Sequence, residues 1–259
     1  MSNLNFVPEF WRNGPSPGAF YNFPNSCVKP CAETNVRQRS QAPITTGTSV
    51  LGIKFDGGVA IAADILGSYG SLARFRDCPR VMKVNRNIIL GAGGDYADYQ
   101  YLKDIIEQKI IDDDCHDDGF HLKPKSLHCW LTRVLYNRRS KFDPFWTNFV
   151  VGGIQDGETF LGTVDKLGTA YEDAHIATGY GAYIALPLMR DALEKNPDLD
   201  MRQAQELLVK CLEVLYYRDA RSFPKYHLAT IHKQEGVSVL GPLELTTNWQ
   251  LAHMIKGYE

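Results

Sequence analysis

The sequence has little excess of either charge and no long apolar run, and each absence excludes a class of function. Lysines and arginines number 28 against 30 aspartates and glutamates, which gives a formal net charge of −2. A chain without a basic excess lacks the electrostatic footprint of nucleic-acid binding or of attraction to anionic membranes. No apolar stretch reaches the roughly 18 residues that predict a membrane-spanning helix. We therefore expect neither nucleic acid nor a membrane among its partners.

Cysteine is sparse and lacks the spacing of a disulfide framework. The six cysteines stand apart along the chain, at positions 27, 31, 78, 115, 129 and 211. The first residues also lack the basic and apolar regions of a secretory signal. Together these features indicate a reduced, intracellular protein.

Residues that bind metals are present, but their spacing fits no standard site. The candidate zinc ligands are Cys115, His116, His121, His128 and Cys129. Their spacing matches no zinc motif, and the adjacent His128 and Cys129 would point apart on a helix. The acidic run 112–118 fails as an EF-hand loop, because Asp117 stands where glycine is needed and Lys123 where glutamate is needed. We expect no metal and no cofactor.

Residues 1–45 differ in composition from the rest of the chain. They hold six of the thirteen prolines and show neither the 3.6-residue nor the 2-residue period of regular structure. This composition predicts an extended leader that does not pack by itself. Its aromatic residues are unusual for a disordered tail, and they are either idle or dock on a partner during assembly.

From Thr48 onward, blocks of strands alternate with pairs of helices. Strands are predicted at 48–56, 59–64, 81–84, 88–92, 147–153, 158–164, 226–232 and 236–240. Helices are predicted after Asp95, near Pro124, and over about 181–195 and 201–217. Segregated blocks joined by hairpins indicate the α+β class with antiparallel sheets. Two sheets packed face to face, each covered by a helix pair, would give a four-layer α-β-β-α sandwich.

A set of polar and charged residues, widely separated along the chain, falls at the ends of predicted strands and of a predicted helix. Gly47 and Thr48 open the first strand, Asp64 ends the second, and Arg80 opens the third. Much later, the segment Arg218-Asp219-Ala220-Arg221-Ser222 falls near the end of a helix. In order and spacing, these residues resemble the β subunits of the eukaryotic 20S proteasome. The resemblance implies the N-terminal-nucleophile hydrolase fold, which is the same four-layer sandwich.

Active members of that family use a threonine, freed from a preceding glycine, as a nucleophile. Such a threonine uses its own α-amine as the base for its hydroxyl. It needs a nearby cation to tune the amine and carboxylates to hold that cation. The resemblance assigns these roles to five residues, which we call the frame residues: Thr48, Asp64, Arg80, Asp219 and Ser222.

Three departures separate this chain from its active relatives. Arg80 stands where they have lysine, Tyr180 where they have serine, and Phe223 where glycine usually follows Ser222. An arginine stays protonated at any working pH, so it cannot take or relay a proton as a lysine can. One hypothesis is a vestigial frame kept as a buried ion network. The other is an active threonine endopeptidase with Thr48 as nucleophile, in which Arg80 replaces lysine electrostatically. We favour the first.

The end of the chain is unusually apolar. Residues 243–259 follow the last predicted strand and carry several large apolar side chains. Free in solvent, such a tail would promote aggregation, so we expect it to contact a partner surface. Trp249, Met254 and Ile255 are the residues that we expect to make this contact.

The resemblance covers essentially all of residues 43–259. Segments well outside the frame, such as 67–76 and 94–103, look like the non-catalytic subunit at the seventh position of the β ring. The resemblance implies a role in ATP- and ubiquitin-dependent protein degradation, in the cytoplasm and nucleus. It also implies stacked seven-membered rings, with the other α and β subunits and assembly chaperones as partners.

The same resemblance suggests how the chain is divided. The leader, residues 1–39, would be trimmed between Arg39 and Ser40 by an active neighbour. Residues 40–242 would form the subunit domain, and the tail, residues 243–259, would reach across to the opposite β ring. The expected function is therefore structural. The subunit would help to seal the chamber inside the stacked rings and to join the two half-particles from which the full particle is assembled.

Overall fold

The computed structural model describes residues 42–116, 118–119, 121–254 and 257. The leader 1–39, the expected processing residues Arg39 and Ser40, and Ile255 lie outside the described residues. The strands are β1 (Thr45–Gly47), β2 (Val50–Phe55), β3 (Gly58–Asp64), β4 (Gly67–Tyr69), β5 (Leu72–Phe75), β6 (Val81–Asn85), β7 (Ile88–Asp95), β8 (Thr147–Gln155), β9 (Glu158–Val164), β10 (Ala170–Glu172), β11 (His175–Ala177), β12 (Lys225–His232) and β13 (Gly236–Glu244). The helices are α1 (Tyr96–His116), α2 (Pro124–Ser140), α3 (Gly181–Lys195), α4 (Met201–Arg218) and α5 (Leu251–Met254).

One sheet has five strands in the order β11-β2-β3-β12-β13, and each neighbouring pair is antiparallel. Its centre is the predicted hairpin of β2 and β3. Gly57 at the turn has a φ of 75°, a left-handed conformation that glycine adopts without steric cost. The hairpin places Thr48 just before its first strand and Asp64 at the end of its second.

The second sheet has eight strands. Seven of them lie in the order β10-β9-β8-β7-β1-β4-β5, and the eighth, β6, pairs with β7. The short strand β1 lies between β7 and β4 and is antiparallel to both. Gly47 lies opposite Gly94 on one side, and Thr46 lies opposite Ser68 on the other. The segment that immediately precedes Thr48 is therefore an interior strand of this sheet.

Three apolar clusters hold four layers together. Between the sheets, Val50 and Ile61 of the five-stranded sheet cluster with Ile89 and Val150 of the eight-stranded sheet. Helices α3 and α4 pack on the outer face of the five-stranded sheet, and α1 and α2 cover the outer face of the other. The predicted α+β class and four-layer α-β-β-α sandwich are confirmed.

Two of the long helices, α1 and α2, begin at the residues that predict them, and α4 begins at a cap that the sequence prediction did not name. The Asp95 carboxylate accepts a hydrogen bond from the N–H of Asp98 (3.2 Å) in the first turn of α1. Pro124 is the first residue of α2, a position that its fixed φ favours. Asp200 caps α4 in a reciprocal capping box with Gln203. Within the described ranges, no helix is both long and apolar enough to cross a bilayer.

The structure differs from the sequence prediction in its short strands and at the start of the tail. Strands β1, β4, β5, β10 and β11 have three or four residues each, too few to show a period. β13 extends to Glu244, which lies opposite Lys225 of β12. Leu243 and Leu245 join the apolar cluster beneath α4. Leu243 and Leu245, which their apolar character assigned to the tail, therefore belong to the folded domain.

Candidate functional site

Four of the five frame residues meet, although up to 171 positions separate them. Thr48 connects β1 to β2, Asp64 ends β3, Arg80 immediately precedes β6, and Asp219 immediately follows α4. Hydrogen bonds join Thr48 to Asp219, and Arg80 to both Asp64 and Thr48. The fifth, Ser222, contributes its backbone N–H, which donates to the Asp219 carbonyl oxygen (3.1 Å). Its hydroxyl makes no hydrogen bond to any described residue.

The guanidinium of Arg80 is buried, and each of its five N–H donors has an acceptor. Arg80 is 2% exposed. Its Nε donates to the backbone oxygen of Asp64 (3.1 Å), and its Nη2 donates to Asp64 Oδ1 and to the backbone oxygen of Ser49 (3.1 Å). Its Nη1 donates to the backbone oxygens of Thr48 (2.9 Å) and Ala92 (3.0 Å). A lysine, with three donors on one nitrogen, could not reach these five acceptors.

Arg80 also explains why residue 47 is glycine. A Cβ on Gly47 would collide with Arg80 Cδ and would lie 2.7 Å from Nε and 3.0 Å from Cζ. The guanidinium cannot move aside without breaking its hydrogen bonds, because all five are made to buried or partly buried groups. The arginine side chain therefore packs directly on the backbone of β1, immediately before Thr48.

The hydroxyl of Thr48 contacts Asp219, whereas its backbone is held in the chain. Thr48 Oγ1 donates to Asp219 Oδ2 (2.5 Å), and Asp219 Oδ1 accepts from the N–H of Arg221 (3.0 Å). The nitrogen of Thr48 is an amide joined to Gly47, the last residue of β1. An amide nitrogen does not act as a base, so the Thr48 hydroxyl has no activating α-amine while the bond to Gly47 is intact.

Asp64 is the buried counterion of Arg80. Its side chain forms an ion pair with the guanidinium, and its second oxygen accepts from the N–H of Phe223 (3.1 Å). Burial raises the pKa of the Asp64 carboxyl because desolvation disfavours the charged form, while Arg80 and the Phe223 N–H act in the opposite direction. Phe223, which replaces a glycine of active relatives, thus ties the loop after α4 to the end of β3.

Tyr180 lies at a pocket beside Thr48. The pocket has a volume of about 580 Å³. It is lined by Thr46, Gly47, Thr48, Gly94, Asn148, Gly179, Tyr180, Arg218, Asp219, Ala220 and Arg221. Tyr180 precedes α3 and is 60% exposed. Among the described residues its phenol has no hydrogen bond to the frame, so a large solvent-facing side chain occupies the position where active relatives have serine.

Sequence reasoning missed the backbone groups of this site. Three of its hydrogen-bonding groups belong to the backbone, namely the carbonyls of Ser49 and Ala92 and the N–H of Phe223. The side-chain types at these positions give no indication of these hydrogen bonds. Arg221 contributes through its backbone N–H to Asp219. Its position two residues after Asp219, in the segment that carries the resemblance, was the one available signal.

The described part of the tail is attached to α4. Trp249 makes edge-to-face contacts with the rings of Tyr216 (5.7 Å) and Tyr217 (5.0 Å). The N–H of Asn248 donates to the Tyr217 hydroxyl (2.6 Å). Met254, by contrast, is 73% exposed. The start of the tail is thus held by its own chain, and the exposed Met254 is available to a partner.

Comparison with known proteins agrees with this geometry. A family model described as proteasome subunit matches residues 44–231. The chain is 54% identical to proteasome subunit beta type-4 of Xenopus laevis, over 97% of this chain and 100% of the relative. It is 45% identical to the type-4 subunit of Drosophila melanogaster over the whole of both chains, and 39% identical to proteasome subunit beta type-7 of Saccharomyces cerevisiae over 98% of both. The predicted resemblance is confirmed, and the chain belongs to the proteasome subunit family.

Proposed function

We propose that this chain is a non-catalytic β subunit of the proteasome core, with a structural role in a protease whose chemistry other subunits perform. The observation that carries the proposal is the environment of Arg80. Its five donors hold the carbonyls of Thr48 and of three other residues and the Asp64 carboxylate, and none reaches the Thr48 hydroxyl. The residue at the lysine position of active relatives is therefore used to fix the chain.

The position of β1 supports the same conclusion. An extended peptide substrate would pair with free strand edges next to Thr48. The strands on both sides, β4 and β7, are already paired with β1. The contact between Thr48 and Asp219 orients the hydroxyl, but while the bond between Gly47 and Thr48 is intact, the preceding residues of the same chain block peptide access to it. The active endopeptidase is therefore the less favoured hypothesis.

Covalent labelling tests the proposal. Purified core particle is treated with an inhibitor that forms an adduct with N-terminal threonines, and the mass of every subunit is measured. Active β subunits of the same particle serve as the internal control and are expected to gain the adduct mass. This chain is expected to gain none, because a mature chain that keeps Gly47 has an amide nitrogen at Thr48 and therefore no base for its hydroxyl. An adduct on Thr48 would overturn the proposal.

The same spectra give the start of the mature chain. We propose that residues 1–39 are removed by an active neighbour between Arg39 and Ser40. The mature subunit would then keep β1 and begin several residues before Thr48. A mature chain beginning at Thr48 would instead expose the threonine amine and favour the active hypothesis. By the same resemblance, we propose that the subunit functions in the cytoplasm and nucleus and that assembly chaperones bind it transiently.

The tail is proposed to join the two half-particles. Deleting residues 250–259 leaves the Trp249 contacts on α4 intact, so the fold is expected to be unchanged. Joining of half-particles is expected to slow about tenfold, the effect of losing an interface contact of about 1–2 kcal/mol. Native gels sampled over time measure the ratio of half to full particle. A truncated subunit that gives full particle at the normal rate would exclude this role for the tail.

A further inference from the structure

Two exposed arginines beside the pocket have no carboxylate partner among the described residues. Arg218 ends α4 and Arg221 follows three residues later, and both side chains line the pocket that contains Tyr180. Neither guanidinium forms an ion pair or a hydrogen bond with any described residue. The adjacent carboxylate of Asp219 is buried and already accepts from the Thr48 hydroxyl and the Arg221 N–H. Two planar cationic groups are therefore available to an outside ligand.

Exposed aromatic rings extend this region beyond the pocket. Tyr180 precedes α3, and Tyr183 lies about one turn further along and is 82% exposed. On the other side, Tyr217 immediately precedes Arg218 and carries Trp249 of the tail. Tyrosine, tryptophan and arginine are the residue types that dominate binding energy at protein interfaces. We call Tyr180, Tyr183, Arg218 and Arg221 the arginine–tyrosine surface.

We infer that the arginine–tyrosine surface docks against an acidic surface of another proteasome subunit, with carboxylates of the neighbour paired to Arg218 and Arg221. The inference rests on the proposed structural function. Arginine matches a carboxylate with two parallel hydrogen bonds, which favours carboxylate partners over neutral ones. A folded neighbour fits better than a peptide bound in the pocket, because Tyr183 does not line the pocket and the surface continues into Trp249. Docking here would add to the contact made by the tail.

Charge reversal tests whether Arg218 and Arg221 pair with carboxylates of a neighbouring subunit. Full-length subunit carrying both Arg218→Glu and Arg221→Glu is expressed in place of the native chain, and particle formation is followed on native gels. The rate of full-particle formation is expected to fall at least about tenfold, because like charges would then face each other. Arg202→Glu is the matched control: it lies on the same helix, is exposed, and has its own partner in Glu206. Normal assembly of the double variant would overturn the inference.

Photo-crosslinking tests the occupant directly. A photoreactive amino acid replaces Tyr183, whose side chain is not part of the packed core, and the assembled particle is irradiated. The expected product joins this chain to another proteasome subunit at a peptide that contains aspartate or glutamate. The inference would be overturned if the adducts were confined to degradation substrates or to assembly chaperones. It would equally be overturned if no adduct formed. If the arginine variants assemble normally while the tail truncation does not, the docking surface is wrong and the structural function stands.

Discussion

Replacing Arg80 with methionine is expected to lower the free energy of unfolding by about 3–5 kcal/mol, the cost of breaking a buried ion pair from one side. Methionine fills a similar volume but donates no hydrogen bond. Asp64 would be left as a buried charge without its counterion, and the carbonyls of Thr48, Ser49 and Ala92 would lose their donor. Because domains of this size are stable by only about 5–15 kcal/mol, the loss would be a large fraction of the total.

Urea unfolding of the purified full-length chain measures this loss, with two companion variants. Arg80→Lys keeps the charge and three of the five donors, so it should unfold between the native chain and Arg80→Met. The double variant Asp64→Leu/Arg80→Met removes both charges and should recover part of the stability. Equal stability of Arg80→Met and the native chain would contradict the network. Arg80→Lys also tests function, because it introduces the lysine that active relatives have at this position. Thr48 should still not be labelled by the threonine-directed inhibitor as long as the chain is not cut between β1 and Thr48.

The long periodic elements could be predicted from the sequence, and so could the meeting of the frame residues. The α1 start at Asp95 and the hairpin of β2 and β3 depend on local signals, namely a cap, a glycine turn and an alternating pattern. The meeting of Thr48, Asp64, Arg80 and Asp219 was predictable only through the resemblance, because their separation carries no local pattern. Local sequence signals therefore predicted the helices and the hairpin, whereas the family resemblance predicted which distant residues would meet.

The remaining features depend on tertiary contacts that the sequence does not display. β1 has three residues, and its strand character comes from pairing with β4 and β7 rather than from its composition. Leu243 and Leu245 resemble part of a tail in the sequence because the cluster that they join is formed largely by residues distant along the chain. The use of all five Arg80 donors was likewise invisible, since four of the acceptors are backbone carbonyls.

Gly47→Ala is expected to destabilise the chain by about 1–3 kcal/mol, the usual cost of forcing a methyl group into a packed interior. The added Cβ would lie 2.7 Å from Arg80 Nε, and the guanidinium could yield only by giving up hydrogen bonds. The control is Gly257→Ala, because a Cβ there has no described atom within 4 Å and should change stability by no more than a few tenths of a kcal/mol.

A double-mutant cycle identifies the reason for the glycine. In the Arg80→Met background the flexible, uncharged side chain can move away, so the cost of Gly47→Ala should become small. Such coupling would mean that Gly47 is kept for packing against Arg80, in a chain that is not cut after it. If Gly47→Ala leaves stability unchanged but alters the start of the mature chain, the glycine serves cleavage, and Thr48 would again be a candidate nucleophile. The same small residue thus distinguishes a structural subunit from a catalytic one.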